Sequence, residues 1–277
     1  MQDTSWERQA NRGNGFLARS TRLFLIGLHL LAGVAKAALL FPLVGQVRQI
    51  KLIRTWAIRL LAILNIELEV KGGPPETSTG KILFVANHIS WLDIYLLNAV
   101  RPVRFVSKAE VRAWPVIGWL AAKVGTIFIE RARRHDTARA NRAVSDALNA
   151  GDCVAVFPEG TTSAGSRLRP FHASLLQPAI DSGALLWPVA IRYKNRDGSP
   201  NAAAAYIDDM SFADSLFRVL REPALMAEIT YLEPLPVQNR SRRELAALAE
   251  TAIASWLNLA APCRKSGIPA DPPAAPQ

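Results

Sequence analysis

The sequence predicts an α/β fold, with a mainly parallel central sheet flanked by helices and preceded by an N-terminal membrane-associated helix pair. Three observations carry this prediction. Beyond the Gly72, Gly73, Pro74, Pro75 break, short apolar runs alternate with helix-like segments, as buried parallel strands and their crossover helices do. Residues 23–45 are apolar apart from His29 and Lys36. From Arg8 to Ile66 there is no acidic residue, while Arg8, Arg12, Arg19, Arg22, Lys36, Arg48, Lys51, Arg54 and Arg59 all fall there.

The apolar stretch 23–45, at ~1.5 Å per helical residue, is about 34 Å long and matches a bilayer core of roughly 30 Å. Lys36 near its middle costs about 2.5–3.5 kcal/mol on insertion scales, so the stretch either spans or dips into the membrane. Residues 48–66 place Arg48, Lys51, Arg54 and Arg59 within an arc of about 140°, interleaved with Ile50, Ile53, Trp56, Leu60, Leu61 and Leu64. A basic amphipathic helix of this kind lies at the level of anionic headgroups. Two rival readings are helices capping a soluble domain and a secretory leader cleaved near Ala35 to Ala37. The apolar character that resumes after Lys36 argues against cleavage.

In the remainder, 82–86, 103–106, 126–129, 153–157, 185–192 and 227–231 read as strands, and 91–100, 116–124, 136–150, 171–181 and 242–259 as helices. The expected organisation is a leader and two-helix segment at 1–71, an α/β domain at 72–260 and a disordered Pro/Ala-rich tail at 261–277. Of the 277 residues, 50% are apolar and 20% charged, which excludes disorder over most of the chain. Cys153 and Cys263 are far apart, so neither a disulfide framework nor a cysteine zinc site is indicated. The four histidines include no HExxH, and no metal is expected.

Active sites in doubly wound folds lie beyond the carboxyl ends of strands. Directly after the 82–86 strand come Asn87, His88, Ile89, Ser90, Trp91, Leu92 and Asp93. With Ser90 capping the next helix, Asp93 occupies the S-x-x-D capping-box position and points back toward His88. The pair suits general-base work: Asp93 fixes one ring nitrogen and leaves the other to take a proton from a hydroxyl. A plain helix cap beside a hydrogen-bonded histidine is the competing reading. Ser90 lacks the G-x-S-x-G turn of an activated nucleophile. Three further strands end in Ser107 and Lys108, in Glu130 and Arg131, and in Pro158, Glu159, Gly160, Thr161 and Thr162. Lys108 and Arg131 have the chemistry to hold a phosphate, and the turn at Gly160 and Thr161 to offer backbone N–H groups to an anion. Taken one at a time, a surface lysine, the start of a basic run and a simple turn account for them better.

Together these residues resemble the glycerolipid acyltransferase family, specifically its 1-acylglycerol-3-phosphate acyltransferases. His88 to Asp93 matches the family's H-x4-D, residues 125–131 its second motif, 157–161 its F-P-E-G-T, and Trp187, Pro188 and Val189 its fourth. The resemblance implies that His88 deprotonates a glycerol hydroxyl, which attacks an acyl thioester directly, with Asp93 orienting the imidazole. It implies that Lys108, Arg131 and the Glu159, Gly160, Thr161 turn hold the acceptor phosphate. The implied acceptor is a lysophospholipid, lysophosphatidic acid. The donor is acyl-CoA or acyl carrier protein as co-substrate, and no cofactor is needed. The N-terminal helices would draw lipid from the cytoplasmic face of the inner membrane. The family usually follows F-P-E-G-T with Arg, whereas this chain has Thr162. Either Arg167 or Arg169 supplies the charge, or the acceptor is another lysolipid such as a lyso-ornithine lipid. A nucleic-acid binder is disfavoured despite the net charge of +10, because no RNA-binding signature accompanies Arg131, Arg133, Arg134, Arg139 and Arg142. A non-catalytic lipid-binding protein is separated from an enzyme by activity alone.

Overall fold

The computed structural model describes residues 15–74, 76, 80–129, 134–207 and 209–260. The leader before Gly15, the tail from 261 and Arg131 lie outside the described residues. The chain opens with helix α1 (Phe16–Leu39), a short 3-10 turn (Phe41–Leu43) that starts at Pro42, and helix α2 (Gln46–Ile63). Phe16–Leu43 has the length and composition to cross a bilayer. Its buried residues are few, Ile26, Gly33 and Ala37, whereas Phe16, Leu17, Phe24, Leu28, Leu31, Leu39 and Leu43 are exposed. One stripe of α1 thus rests on the protein and the rest presents apolar side chains outward.

A reciprocal bond fixes α1 on α2. The Trp56 indole N–H donates to the His29 carbonyl at 3.2 Å, the His29 Nε2 lies 3.0 Å from the Trp56 carbonyl, and the two rings stack at 4.7 Å. Gly33 makes room for this contact, since a Cβ there would lie 2.7 Å from the Trp56 Nε1. Trp56 also leans on Tyr95, tying the pair to the domain.

The domain alternates strands and helices: β1 (Ile66–Lys71), β2 (Ile82–Ala86), α3 (Leu92–Val100), β3 (Arg104–Lys108), α4 (Ile117–Lys123), β4 (Ile127–Ile129), α5 (Arg134–Asn149), β5 (Cys153–Val156), α6 (Gln177–Ser182), β6 (Leu185–Lys194), α7 (Phe212–Arg221), β7 (Leu225–Tyr231) and α8 (Arg242–Leu257). The seven strands form one sheet ordered β1-β7-β6-β2-β5-β3-β4. Every pairing is parallel except β6 with β7, so β7 and β1 run against the other five. The expected mainly parallel sheet is present, with an antiparallel step at one side.

Period-2 alternation sends side chains to two faces. Ile82, Phe84, Ala86, Ala155, Val189, Ile191 and Ile229 pack under α2, α3 and α7, while Leu83, Val85, Val154, Val156, Leu186 and Ala190 pack against α5, α6 and α8. The central strand β2 is buried along its whole length. This two-sided burial explains why the middle strands are nearly continuous apolar runs that are legible in sequence.

Three elements differ from the sequence expectation. Strand β1 begins at Ile66, where the amphipathic pattern suggested helix, because Glu67 and Glu69 alternate with Leu68 and Val70 on an edge strand. Helix α7, capped by Ser211 accepting from the Asp214 N–H, was not anticipated. The helix expected over 171–181 is a 3-10 turn (Ala173–Leu176) followed by α6, because Pro178 can open a helix but not sit inside one.

Edge strands need protection and register, and charge supplies both here. The Glu228 carboxylate on β7 is 1% exposed and lies within 2.9 Å of Lys71 on β1 and of Arg192 and Lys194 on β6; Lys194 and Lys71 also reach Glu69. Burial works to raise the Glu228 pKa, but the bonds from Arg192, Lys71 and Lys194 outweigh it and hold it at about 2. Replacing Glu228 with Gln leaves three cations without their buried counter-charge, and thermal or urea unfolding is expected to report a loss of about 3 kcal/mol. Because the folded pKa lies below the ordinary 4.5, the Glu228 contribution is complete above that pH and disappears as pH falls toward 2, a dependence that Glu228→Gln abolishes.

Candidate active site

The site grows from the end of β2. Asn87, the first residue past the strand, is buried, and its side chain closes a two-point bond with the backbone of Ile191: Nδ2 donates to the carbonyl at 2.9 Å and Oδ1 accepts from the N–H at 2.8 Å. β6 runs beside β2 in register Ala86 with Val189 and continues to Lys194. It therefore overhangs the end of β2 and anchors the loop that follows. Residues 87–90 have no helical or strand bonding of their own, which leaves their N–H groups for side-chain acceptors.

The Asp93 carboxylate takes two of them. Its Oδ2 accepts from the Ile89 N–H at 2.7 Å and the Ser90 N–H at 2.9 Å, and lies 2.8 Å from the His88 Nδ1. Its Oδ1 accepts from the Tyr193 hydroxyl at 2.6 Å. The carboxylate is fully buried, and four donors replace the water it has lost. The back-bonding half of the expected capping box is thus present, but Ser90 Oγ accepts from Leu92 N–H at 3.3 Å rather than from Asp93. Ser90 is itself fully buried.

An ionised carboxylate only accepts, so the His88 Nδ1 carries hydrogen and the Nε2 keeps a lone pair. The imidazole is 18% exposed and stacks on Phe157 at 3.9 Å and 10°. A stacked ring with one nitrogen bonded has its remaining freedom removed, and its Nε2 lone pair is held in one direction.

The turn after β5 braces the same loop. Glu159 accepts from the His88 N–H at 2.7 Å through one oxygen and from the Arg169 N–H at 3.0 Å through the other. Burial pushes the Glu159 pKa up, against the two backbone donors. Ser163 N–H donates to the His88 carbonyl at 2.8 Å. Gly160 has φ +76°, which a glycine adopts without strain, and its N–H donates back to Phe157 inside the turn. The Glu159 side chain is therefore engaged with backbone, and the Gly160 N–H with its own turn. Thr161 is exposed, and the Thr162 hydroxyl is directed to the Tyr206 carbonyl. Lys108 ends β3 at the same sheet edge and is exposed, as are Arg167 and Arg169. β3 pairs Lys108 with Ile129, the residue two before Arg131.

A cavity of about 230 Å³ leads away from the imidazole. His88 and Phe157 stand at one part of its wall, Leu30, Gly33, Lys36 and Ala37 of α1 at another, with Trp56, Tyr95 and Leu120 between them. Most of its lining is apolar, so an alkyl chain fits its chemistry.

The acyltransferase family model matches residues 67–192, which run from β1 through β6 and hold His88, Asp93, Lys108 and the Glu159 turn. Over 241 residues the chain is 44% identical to a lyso-ornithine lipid O-acyltransferase of Pseudomonas aeruginosa, covering 86% of this chain and 91% of that one. The chain belongs to the glycerolipid acyltransferase family. A 1-acyl-sn-glycerol-3-phosphate acyltransferase of Neisseria gonorrhoeae is 41% identical over 172 residues, 62% of this chain and 67% of that protein. The fold is that of the crystal structure of the 1-acyl-sn-glycerophosphate acyltransferase PlsC from Thermotoga maritima, with a TM-score of 0.66 over 90% of this chain and 96% of that one at 21% identity.

The sequence brought His88, Asp93 and the 157–161 turn into one site but did not find Asn87's clamp or Tyr193. Asn87 followed a strand directly, which was its only signal. Tyr193 lies in a strand 100 residues from Asp93, where no local pattern marks it. Asn87→Ala leaves the buried Ile191 N–H and carbonyl unpaired; a loss of roughly 2 kcal/mol in unfolding free energy, with lowered acyl transfer, is expected.

Proposed function

We propose that this enzyme moves a fatty acyl group from an acyl thioester, acyl-CoA or acyl carrier protein, to the free hydroxyl of a lysolipid, with His88 as general base and Asp93 as its orienting partner. The observation that carries this reading is the His88 Nε2, left unbonded by the Nδ1 contact to Asp93, on the wall of an apolar cavity that extends to the N-terminal helices. His88 takes the hydroxyl proton as the oxygen attacks the thioester carbonyl. The tetrahedral intermediate collapses with cleavage of the C–S bond, and the imidazolium returns its proton to the departing thiolate. The products are an ester and a free thiol, and no acyl-enzyme forms. Ser90, buried and bonded to backbone, supports direct attack over a serine nucleophile.

Lysophosphatidic acid is the first acceptor reading, giving phosphatidic acid, with Lys108 and Arg131 beyond the ends of β3 and β4 as its phosphate ligands. Glu159 serves in this reading as a brace for the His88 loop, since both of its oxygens already accept from backbone. A lyso-ornithine lipid is the second reading. It is favoured by Thr162, which puts a hydroxyl bonded to Tyr206 where the family carries a guanidinium, and by the relative of that name matched over 91% of its length. Under the first reading Arg167 or Arg169, exposed on the same loop, makes up the missing charge. The exposed apolar stripe of α1 and the basic face of α2 rest in the membrane, and we place the catalytic domain on the cytoplasmic side of the inner membrane.

His88→Ala, assayed for acyl transfer to lysophosphatidic acid and to lyso-ornithine lipid, is expected to lose at least ~100-fold with both; near wild-type rates would end the base assignment. Asp93→Asn should lose most activity and Ser90→Ala much less, and equal losses would point to a broken cap. Acceptor preference decides the headgroup: a purified enzyme indifferent to the acceptor phosphate excludes the first reading, and loss of lysophosphatidic acid turnover on Arg167→Gln or Arg169→Gln supports it.

A further inference from the structure

Tyr193 reaches the same carboxylate as His88 from a separate element. It lies on the part of β6 that extends past the end of β2, is 4% exposed, and donates its hydroxyl to Asp93 Oδ1 at 2.6 Å. His88, Ile89 and Ser90 all use Oδ2. The two oxygens are thus held from opposite directions, and the carboxylate cannot rotate to exchange them without breaking a bond on each side. Phenylalanine would fill the same space, so packing alone does not account for the hydroxyl.

We propose that Tyr193 is a positioning residue for acyl transfer: by bonding Oδ1 it fixes the carboxylate plane that orients His88 and limits how much of the Asp93 charge reaches the imidazole. The proposal rests on the reading of His88 as base and Asp93 as its partner. A donor on one carboxylate oxygen draws negative charge toward itself. With that donor gone, more charge faces the imidazole, its protonated form is stabilised, and the base is silenced up to a higher pH. A stronger donor acts in the opposite sense. The other titratable groups around the pair are Glu159 from the turn after β5, which bonds the His88 N–H, and Lys36 of α1, which lines the same cavity as His88. The Ser90 hydroxyl lies beside the Tyr193 phenol, and Phe157 covers the imidazole without charge.

The test is kcat/KM against pH in the full-length protein, with the acyl-CoA and lysolipid pair that the wild type turns over. Tyr193→Phe is expected to lower kcat roughly tenfold with KM little changed, and to move the acid limb up by ~0.5 pH unit. Placing 3-fluorotyrosine at position 193, the same shape with a stronger donor, should move the limb down. In an Asp93→Asn background Tyr193→Phe should cost no further factor, because its effect passes through the carboxylate. The proposal is overturned if the limb stays in place in both single variants, or if the loss in the Asp93→Asn background equals that in the wild type. If Tyr193→Phe does not fold, the fluorotyrosine protein decides by itself. Failure of the base reading is separate: His88→Ala or Asp93→Asn alone would then retain activity.

Discussion

One buried carboxylate organises the loop after β2, which carries the proposed base. Asp93 has given up all contact with water, and a charge in that position is tolerated only where donors surround it. Those donors come from three places: the loop after β2, the imidazole of His88, and the overhanging end of β6. The cost of burying the charge is therefore offset only when β2, α3 and β6 are correctly assembled. The same bonds that stabilise the carboxylate turn the imidazole and hold its tautomer, so folding of the loop and orientation of the ring are one event.

The surrounding braces follow the same logic of using backbone polar groups that irregular structure leaves unpaired. Asn87 satisfies Ile191 on β6, Glu159 satisfies His88 and Arg169, and Ser163 closes on the His88 carbonyl. Asn87 links the end of β2 to β6, and Glu159 and Ser163 link the loop after β2 to the segment after β5. The loop carrying the imidazole is consequently tied to β6 and to the turn after β5, which suits the proposed proton acceptor.

A second constraint is the junction with the lipid phase. The stack of His29 on Trp56 over Gly33 seats α1 against α2, and Trp56 in turn lines the cavity that reaches His88. The cavity wall thus runs from Leu30, Gly33, Lys36 and Ala37 of α1 to His88 and Phe157, mostly apolar with Lys36 among its residues.

Much of this was legible from sequence, and the reason is periodicity. Strands buried on both faces read as continuous apolar runs, so β2, β5 and β6 stand out, and the segments His88 to Asp93 and 157–161 announce themselves by following such runs. The apolar, acid-free stretch before Glu67 marked out the first helix, which has the length and composition to cross a bilayer. What sequence missed has a common cause in partners remote along the chain. β1 is an edge strand whose alternating Glu67 and Glu69 make sense only beside Lys194 at the end of β6 and Arg196 just past it. Tyr193 looks like one more residue of a buried strand until β6 is laid beside β2. The sequence alone therefore determined the class of fold and the stretch that brings His88 and Asp93 together, because these follow from local pattern. Only the tertiary structure decided which oxygen of Asp93 meets which donor and that Glu159 faces backbone, because hydrogen-bond partnership depends on angstrom-scale distances that sequence separation does not encode.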